Sequence, residues 1–255
     1  MLFDSHVHSA ASPDSEMPPE EIIAHFSSKG MGFIFTEHLD YNPQGERYFS
    51  VDLDHYPADY LQYKSDSVGV GLELNLLAES VEQNRAHAAD RRLDYVIGSV
   101  HWIDGWDIYF AKDIFAQFGE GVYERYLAYA LKMVETNEYF DALGHIDYIS
   151  RYSPLPEKNV RYKKYADAYD NLLRALVERD KLLELNTARL GREDARRNIT
   201  DIYSRYRDLG GRYVTIGSDA HVPERLANNF DIALDIINGI GLVPVYFKER
   251  RMILC

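Results

Sequence analysis

The sequence predicts an α/β protein in which seven parallel strands alternate with helices and form a closed or nearly closed barrel. Three observations support this fold class. The chain has 255 residues, a length typical of an α/β barrel that forms one domain, so we expect residues 1–255 to be a single domain. Short apolar runs recur along the chain, and segments with helical spacing separate them. Strands that alternate with crossover helices are normally parallel.

The apolar runs predict the strands. Each run is short and rich in Val, Ile, Leu, Phe or Tyr, as in strands that are buried on both faces. The seven runs are Leu2 to His8, Phe33 to His38, Val68 to Asn75, Tyr95 to His101, Phe140 to Asp147, Leu182 to Thr187 and Tyr213 to Asp219. An open, doubly wound sheet is the alternative arrangement of these elements, and the number of units favours the barrel.

The segments between the runs predict the helices. The first helix is expected to begin at Pro18-Pro19-Glu20-Glu21, because proline and acidic residues favour a helix N-terminus, and to end at Gly30. Apolar residues three and four apart predict amphipathic helices at Tyr123 to Val134, Tyr165 to Arg179, Asp201 to Asp208 and Leu226 to Ile237. Residues 39–66 and 102–119 are predicted to be loops that cover one end of the barrel.

Composition and charge exclude several function classes. The formal net charge of −13 disfavours nucleic acid and anionic membranes as partners, because both favour a basic surface. A small anionic substrate stays compatible with this charge. The single cysteine, Cys255, excludes an intramolecular disulfide and a cysteine-type zinc site. The N-terminus resembles no signal peptide, and no apolar run is long enough to span a bilayer. We therefore expect a cytoplasmic protein, whose oligomeric state the sequence does not predict.

Histidines and carboxylates gather at the ends of the predicted strands. In a parallel barrel all the carboxyl ends lie at one face, where barrel enzymes carry their active sites. Side chains two apart on a strand point the same way, so His6 and His8 form a chelating pair. Asp219 and His221 form a second pair if the last strand continues that far. The other residues at these ends are Glu37, His38, Glu73, His101, His145 and Asp147.

Imidazole and carboxylate groups are the ligands that zinc, iron or manganese take when no thiolate is present. One tetrahedral ion cannot use so many ligands, so we expect two or three divalent ions that share a nucleophilic hydroxide. A polar residue at a strand end often only begins a loop, but six of the nine histidines lie at the ends of five strands. His25 and His87 in helical segments, and His55 in a loop, are interpreted as structural.

Six motifs together resemble the PHP (polymerase and histidinol phosphatase) superfamily, and they extend from residue 4 to about residue 230. Within it, Ser99-Val100-His101 and Gly144-His145-Ile146-Asp147-Tyr148-Ile149 most resemble the histidinol-phosphate phosphatases. The six motifs are Asp4-Ser5-His6-Val7-His8-Ser9, Thr36-Glu37-His38, Gly71-Leu72-Glu73, Gly98-Ser99-Val100-His101, Gly144-His145-Ile146-Asp147 and Gly217-Ser218-Asp219-Ala220-His221.

The resemblance implies a distorted (β/α)7 TIM-like barrel with a trinuclear metal centre. The implied activity is hydrolysis of L-histidinol phosphate by a metal-bridging hydroxide. The alternatives are another small phosphorylated substrate, such as a nucleotide or sugar phosphate, or a non-catalytic metal-binding module. Asp14 is a candidate ligand only through the resemblance. The implied ligands are His6, His8, Asp14, His38, Glu73, His101, His145, Asp219 and His221.

Arginines near two strand ends are candidate phosphate ligands, because a guanidinium fork matches phosphate oxygens. Glu184-Leu185-Asn186-Thr187 resembles the corresponding run of the histidinol phosphatases. The family commonly continues with Ser-Gly and a basic pair, whereas this chain continues with Ala188-Arg189-Leu190-Gly191-Arg192. Arg151, Arg189 and Arg192 are therefore the candidates, with Arg161 or backbone amides next.

Overall fold

The structure is a computed structural model and describes residues 1–110 and 112–255. Its strands are β1 (Phe3–Val7), β2 (Gly32–Tyr41), β3 (Arg47–Ser50), β4 (Val68–Asn75), β5 (Tyr95–Ser99), β6 (Trp102–Ile103), β7 (Trp106–Asp107), β8 (Ala142–Leu143), β9 (Leu182–Asn186), β10 (Tyr213–Gly217), β11 (Val243–Lys248) and β12 (Arg251–Leu254). Its helices are α1 (Pro19–Lys29), α2 (Val81–Ala88), α3 (Lys112–Phe118), α4 (Gly121–Thr136), α5 (Ile149–Tyr152), α6 (Ala166–Glu178), α7 (Glu193–Asp208) and α8 (Phe230–Ile240).

The seven predicted strands are neighbours in one parallel sheet, in the order β1-β2-β4-β5-β8-β9-β10. The first and the last of them also meet. Asp219 N donates to His6 O at 2.8 Å, and His8 N donates to Ala220 O at 3.0 Å. These two bonds join the end of β1 to the segment after β10, and the sheet is therefore a distorted barrel rather than an open, doubly wound sheet.

The helices follow the local sequence signals. Pro18 and Pro19 begin α1, acidic residues occupy its first turn, and Gly30 ends it in the left-handed conformation at φ 62°. Helices α4 and α6 match the predicted segments closely and bury their apolar faces in the core. Helix α7 begins at Glu193 rather than at the predicted Asp201. Its first turn is polar and acidic, as a helix N-terminus favours, but it lacks the apolar spacing from which the helix was predicted.

Two predicted loops contain regular structure. Strand β2 continues to Tyr41 and pairs antiparallel with β3 inside the segment 39–66. The segment 102–119 holds the β6–β7 hairpin and α3, and Ala111 lies outside the described residues. Both segments follow the carboxyl ends of parallel strands, as predicted, and they extend the wall at that end of the barrel.

A β-hairpin near the C-terminus, which the sequence patterns did not predict, covers the amino end of the barrel. Strands β11 and β12 pair antiparallel, and β11 also pairs with β10. Phe247 is buried and its ring stacks on Tyr95 with 5.2 Å between centroids. The hairpin closes the end of the barrel opposite the strand tips that carry the histidines.

Among the described helices, none combines the length and the apolar character that crossing a lipid bilayer requires.

Candidate metal-binding active site

The carboxyl ends of the barrel strands surround a cavity of about 620 Å³. Seven of the nine predicted ligands line this cavity, whereas His6 and His8 are fully buried just beneath it. The strands explain this gathering, since β1, β2, β4, β5, β8 and β10 each end within a few residues of a ligand. The seven lining ligands are Asp14, His38, Glu73, His101, His145, Asp219 and His221.

Glu73 lies at the centre of the cluster and faces imidazoles on both sides. Its Oε2 is 3.3 Å from His6 Nε2 and 3.0 Å from His38 Nδ1. Its Oε1 is 2.8 Å from His145 Nε2 and 3.3 Å from His101 Nε2. A carboxylate in this position can share its two oxygens between separate metal ions.

Four of the ligand histidines form two pairs of facing imidazoles. His6 Nε2 and His8 Nε2 are 3.0 Å apart, and His38 Nε2 and His221 Nε2 are 3.3 Å apart. Asp14 Oδ2, on the loop after β1, is 3.0 Å from His221 Nε2. The geometry thus brings together all nine predicted ligands, including Asp14, which only the family resemblance indicated.

Asp219 and His221 were expected to point the same way if the last strand reached them, and the strand ends before them. Strand β10 ends at Gly217, and Asp219 adopts a left-handed conformation with φ 55°. The backbone hydrogen bonds of Asp219 and Ala220 to β1 turn the chain, and the side chains of Asp219 and His221 both line the cavity.

Burial and neighbouring charges shift the pKa values of these groups in both directions. Burial lowers the pKa of His6, His38 and His101, but the neighbouring carboxylates outweigh it and raise all three above the usual value, so these rings would release a proton on binding a metal ion. Burial raises the pKa of Glu73, but the charges of His6, His38 and His101 outweigh it and hold the pKa well below its usual range. Burial, with the charges of His221 and His38, lowers the pKa of His8 well below its usual value. Ionised carboxylates and neutral imidazoles are the states in which these side chains coordinate divalent ions.

Metal ions fit this donor set. His38 Nδ1 and Glu73 Oε2 are buried and lie 3.0 Å apart, but neither atom makes a hydrogen bond among the described residues. Unpaired buried polar atoms are costly, and facing ring nitrogens without a proton between them repel each other. Divalent ions would bind the unpaired buried atoms and would remove the repulsion between the facing ring nitrogens. Three ligand atoms approach within 4.8 Å of one another in four combinations: His8 with His38 and His221, His6 with His8 and Glu73, His38 with Asp40 and His101, and Glu73 with His101 and His145.

Two acidic residues that the strand-end argument did not select belong to this site. Asp40 lies on the extended part of β2, and its Oδ2 is 2.7 Å from His101 Nδ1. Glu184 lies on β9, with its Oε1 at 2.6 Å from His6 Nδ1. Strand alternation could have indicated Asp40, two residues after His38, if β2 had been predicted at its full length.

The three candidate arginines lie in different environments. Arg151 on α5 lines the cavity, and its Nη2 donates to Asp219 Oδ2 at 2.6 Å. Arg189 binds Asp147 and Asn159 and does not line the cavity. Arg192 is half exposed and pairs with Asp194 at 3.0 Å, and the next candidate, Arg161, pairs with Glu157. The loop after β9 directs the Arg192 side chain to the start of α7, and Arg192 is not among the residues that line the cavity.

The three histidines interpreted as structural lie outside the cavity. His25 is on α1, and His87 on α2 is 2.9 Å from the hydroxyl of Tyr41. His55 is exposed and pairs with Asp59.

Aromatic side chains form the upper wall of the cavity. They come from the two segments that were predicted to be loops and from α5, and two carboxylates lie among them, Asp40 and Asp107. The aromatic residues are Tyr48, Phe49, Trp102, Tyr109, Phe110, Tyr148 and Tyr152.

The fold and the site together define a barrel protein with a multi-ligand metal-binding centre at the carboxyl ends of its strands. The PHP domain family model matches residues 4–188, and the chain belongs to this family. It is 38% identical over 252 residues to a Clostridium acetobutylicum protein named "Probable histidinol-phosphatase", with 99% of each chain covered. It is 28% identical to the "Histidinol-phosphatase" of Lactococcus lactis, covering 88% of this chain and 85% of that one.

The crystal structure of histidinol phosphate phosphatase from Lactococcus lactis, complexed with zinc, L-histidinol and phosphate, is similar to this structure. The TM-score is 0.89 at 27% sequence identity, and the match covers 99% of this chain and 98% of that chain. The similarity therefore includes the C-terminal hairpin as well as the barrel.

Proposed function

We propose that this protein is a metal-dependent phosphatase that hydrolyses L-histidinol phosphate to L-histidinol and phosphate, a step of histidine biosynthesis. One observation carries the proposal: nine histidine and carboxylate side chains converge in or just beneath one cavity, which Arg151 also lines, in a chain that matches a histidinol phosphate phosphatase over nearly its full length. We take residues 1–255 as one barrel domain.

The nine ligands would hold two to three divalent ions, of zinc, iron or manganese. Such ions supply positive charge to the phosphoryl oxygens and a hydroxide nucleophile at neutral pH. Glu73 is the shared carboxylate, because its two oxygens face different imidazole groups. The zinc named in the structure of the Lactococcus lactis enzyme supports this assignment.

Arg151 binds the phosphoryl group in this proposal. Its guanidinium has five N–H donors, of which one is occupied by Asp219, and it lies at the cavity wall. Charge-assisted bonds from arginine to phosphate oxygens are strong and directional. Arg189 and Arg192 are engaged by acidic residues elsewhere, so the phosphate assignment narrows to Arg151.

The upper wall fits the alcohol half of the substrate. L-histidinol carries an ammonium group and an imidazole ring, and aromatic faces and carboxylates attract such cations. Tyr48, Trp102 and Tyr109 supply the aromatic faces, and Asp107 supplies a carboxylate. A nucleotide or sugar phosphate would place neutral or anionic groups against the same wall.

Phosphate release from a panel of phosphate esters tests the proposal. We expect metal-loaded protein to show a higher kcat/KM for L-histidinol phosphate than for nucleoside monophosphates or sugar phosphates. The Glu73→Gln variant should lose this activity, whereas Asp94→Asn, which changes a buried carboxylate at the amino end of the barrel, should retain it. A higher kcat/KM for another ester would show that the alcohol half is assigned wrongly, and no release from any ester would overturn the enzyme proposal.

A further inference from the structure

Two fully buried carboxylates outside the proposed ligand set flank the first pair of imidazoles. Glu184 lies on β9 and Glu37 on β2, and both side chains are inaccessible to solvent. Each is linked by hydrogen bonds to the outer ring nitrogen, Nδ1, of one member of the His6–His8 pair. The proposed function assigns no role to either carboxylate.

Glu184 accepts hydrogen bonds on both oxygens. Its Oε2 accepts from the backbone N–H of His145 at 2.8 Å, and its Oε1 is 2.6 Å from His6 Nδ1. A carboxylate that accepts on Oε1 requires the proton of His6 to sit on Nδ1. In the neutral ring, the opposite nitrogen of His6, Nε2, then presents a lone pair.

Ser12 links Glu37 to His8 and determines the direction of the bonds. The Ser12 hydroxyl accepts from the backbone N–H of His38 at 3.1 Å and donates its only proton to Glu37 Oε2 at 2.6 Å. It therefore has no proton left for His8 Nδ1, which lies 3.1 Å away. His8 must donate from Nδ1, and its Nε2 also presents a lone pair.

We infer that Glu184, and Glu37 acting through Ser12, are positioning residues that hold His6 and His8 in the Nδ1-protonated form. In this form both Nε2 atoms, 3.0 Å apart, direct their lone pairs to one point. Hydrogen bonds to the outer nitrogen commonly fix the tautomer and ring orientation of metal-binding histidines. These contacts therefore favour coordination of one zinc ion through both Nε2 atoms.

The packing of β10 supports the role of Glu184. A Cβ atom at Gly217 would lie 2.3 Å from Glu184 Oε1 and 2.5 Å from His6 Cβ. Only glycine leaves room at this position for the carboxylate and the imidazole together. Gly217 of strand β10 thus leaves space for the contact between Glu184 and His6.

This inference rests on the proposed metal binding by His6 and His8, and zinc affinity tests it without measuring turnover. A glutamine side chain at position 184 has only one acceptor oxygen, whereas His6 Nδ1 and the backbone N–H of His145 each need one. Glu184→Gln therefore loses the hydrogen bond to either His6 or His145. We expect Glu184→Gln and Ser12→Ala to bind zinc about 10–100-fold more weakly than the unmodified protein. Zinc alone is titrated against a chromophoric chelator, with Asp94→Asn as the matched buried-carboxylate control, expected to bind as the unmodified protein does.

The tautomers themselves are measurable by nuclear magnetic resonance on zinc-loaded protein with ¹⁵N-labelled histidine. We expect His6 and His8 to carry a proton on Nδ1 and none on Nε2. A proton on Nε2 of either ring, or unchanged zinc affinity in folded Glu184→Gln and Ser12→Ala, would overturn the inference. Because the spectra use the unmodified chain, a variant that does not fold leaves this test intact. Zinc binding without phosphate release would overturn the proposed function alone, whereas absence of zinc binding would overturn both.

Discussion

Individual side chains in this site differ in how far they lie from solvent. His6, His8 and Glu73 are completely buried at the base of the cavity, whereas Asp14 and His221 lie nearer its opening. Buried imidazoles and carboxylates are costly without a partner, so the base of the site depends most strongly on bound metal. His25, His55 and His87 lie outside the cavity, so metal ions bound there would not contact them.

Replacing the buried pair separates ligand histidines from structural ones. We expect His6→Ala and His8→Ala each to abolish turnover of L-histidinol phosphate, because each change removes one arm of the chelate. His25→Ala and His87→Ala should retain turnover close to that of the unmodified protein, since neither side chain lines the cavity. Steady-state rates with zinc content measured in parallel check this, and equal losses in all four variants would contradict it.

Arg151 offers a second test at the level of one side chain. Losing a charge-assisted bond to phosphate costs about 1.5–3 kcal/mol, or roughly ten- to a hundred-fold in kcat/KM. We expect Arg151→Ala to show this loss, and Arg192→Ala, whose side chain is half exposed and paired with Asp194, to show none. Because Arg151 also binds Asp219, zinc content must stay unchanged for the result to count. A loss of metal in proportion to activity would make Arg151 a support for Asp219 instead.

The ligand residues could be predicted because strand ends and histidines coincide in the sequence. Asp14 lies on an irregular loop, where no periodicity indicates the direction of a side chain, and only the family resemblance pointed to it. Arg189 and Arg192 could not be placed, because the turn between β9 and α7 decides their directions. Side chains on loops depend on tertiary contacts that a sequence pattern does not contain.

At the level of elements, the parallel strands were predictable and the short ones less so. Strand β4 has the predicted limits, whereas β8 is only Ala142–Leu143 within the predicted segment Phe140 to Asp147. Gly144 packs against Ser99 and Ile97, where a side chain has no space, and the chain leaves the sheet at this point. Apolar composition alone does not show where pairing stops.

The hairpin of β11 and β12 escaped prediction because its turn lacks the usual residues. Two-residue hairpin turns favour Asn-Gly, since both positions require a positive φ. Here Glu249 and Arg250 occupy them with φ of 52° and 60°. The side chain of Arg250 offsets the cost of this backbone conformation. It donates to Asp141 Oδ2 at 2.6 Å and to the carbonyls of Ala88 and Tyr139 at 2.7 Å each.

These contacts make Arg250 a support of the hairpin. We expect Arg250→Ala to lower the free energy of unfolding by about 1.5–3 kcal/mol, the cost of a charge-assisted bond. The neighbouring Arg251→Ala, on the exposed strand β12, should change it by less than about 0.5 kcal/mol. Urea denaturation of the two variants measures the difference. Similar stabilities would show that the apolar contacts of Phe247, rather than Arg250, hold the hairpin.

At the level of the whole molecule, the contacts of the hairpin and the candidate metal site lie at opposite ends of the barrel. The amino end is closed by the hairpin and its ion pair between Arg250 and Asp141, whereas the carboxyl end opens into the aromatic cavity. The barrel strands connect these two ends. Changes at Arg250 should therefore alter unfolding without altering kcat/KM.

Metal content tests the carboxyl end of the molecule as a unit. Nine ligand side chains, with Glu73 at their centre, are too many for one ion, so we expect two to three divalent ions per chain. Elemental analysis should follow growth with added manganese, iron and zinc. One ion or fewer per chain would overturn the multinuclear site.

Removal of the metals should also lower thermal stability. The emptied cluster leaves His38 Nδ1 and Glu73 Oε2 buried without a hydrogen bond, which disfavours the folded state. A ligand that binds only the folded chain stabilises it by about 4 kcal/mol when its concentration is 1,000 times its Kd. We therefore expect chelation to reduce the Tm and added zinc to restore it in the unmodified protein, and His6→Ala to recover less with zinc than His25→Ala does. If chelation leaves the Tm unchanged, the cluster is satisfied without metal, and the ligand assignment fails even where the fold is correct.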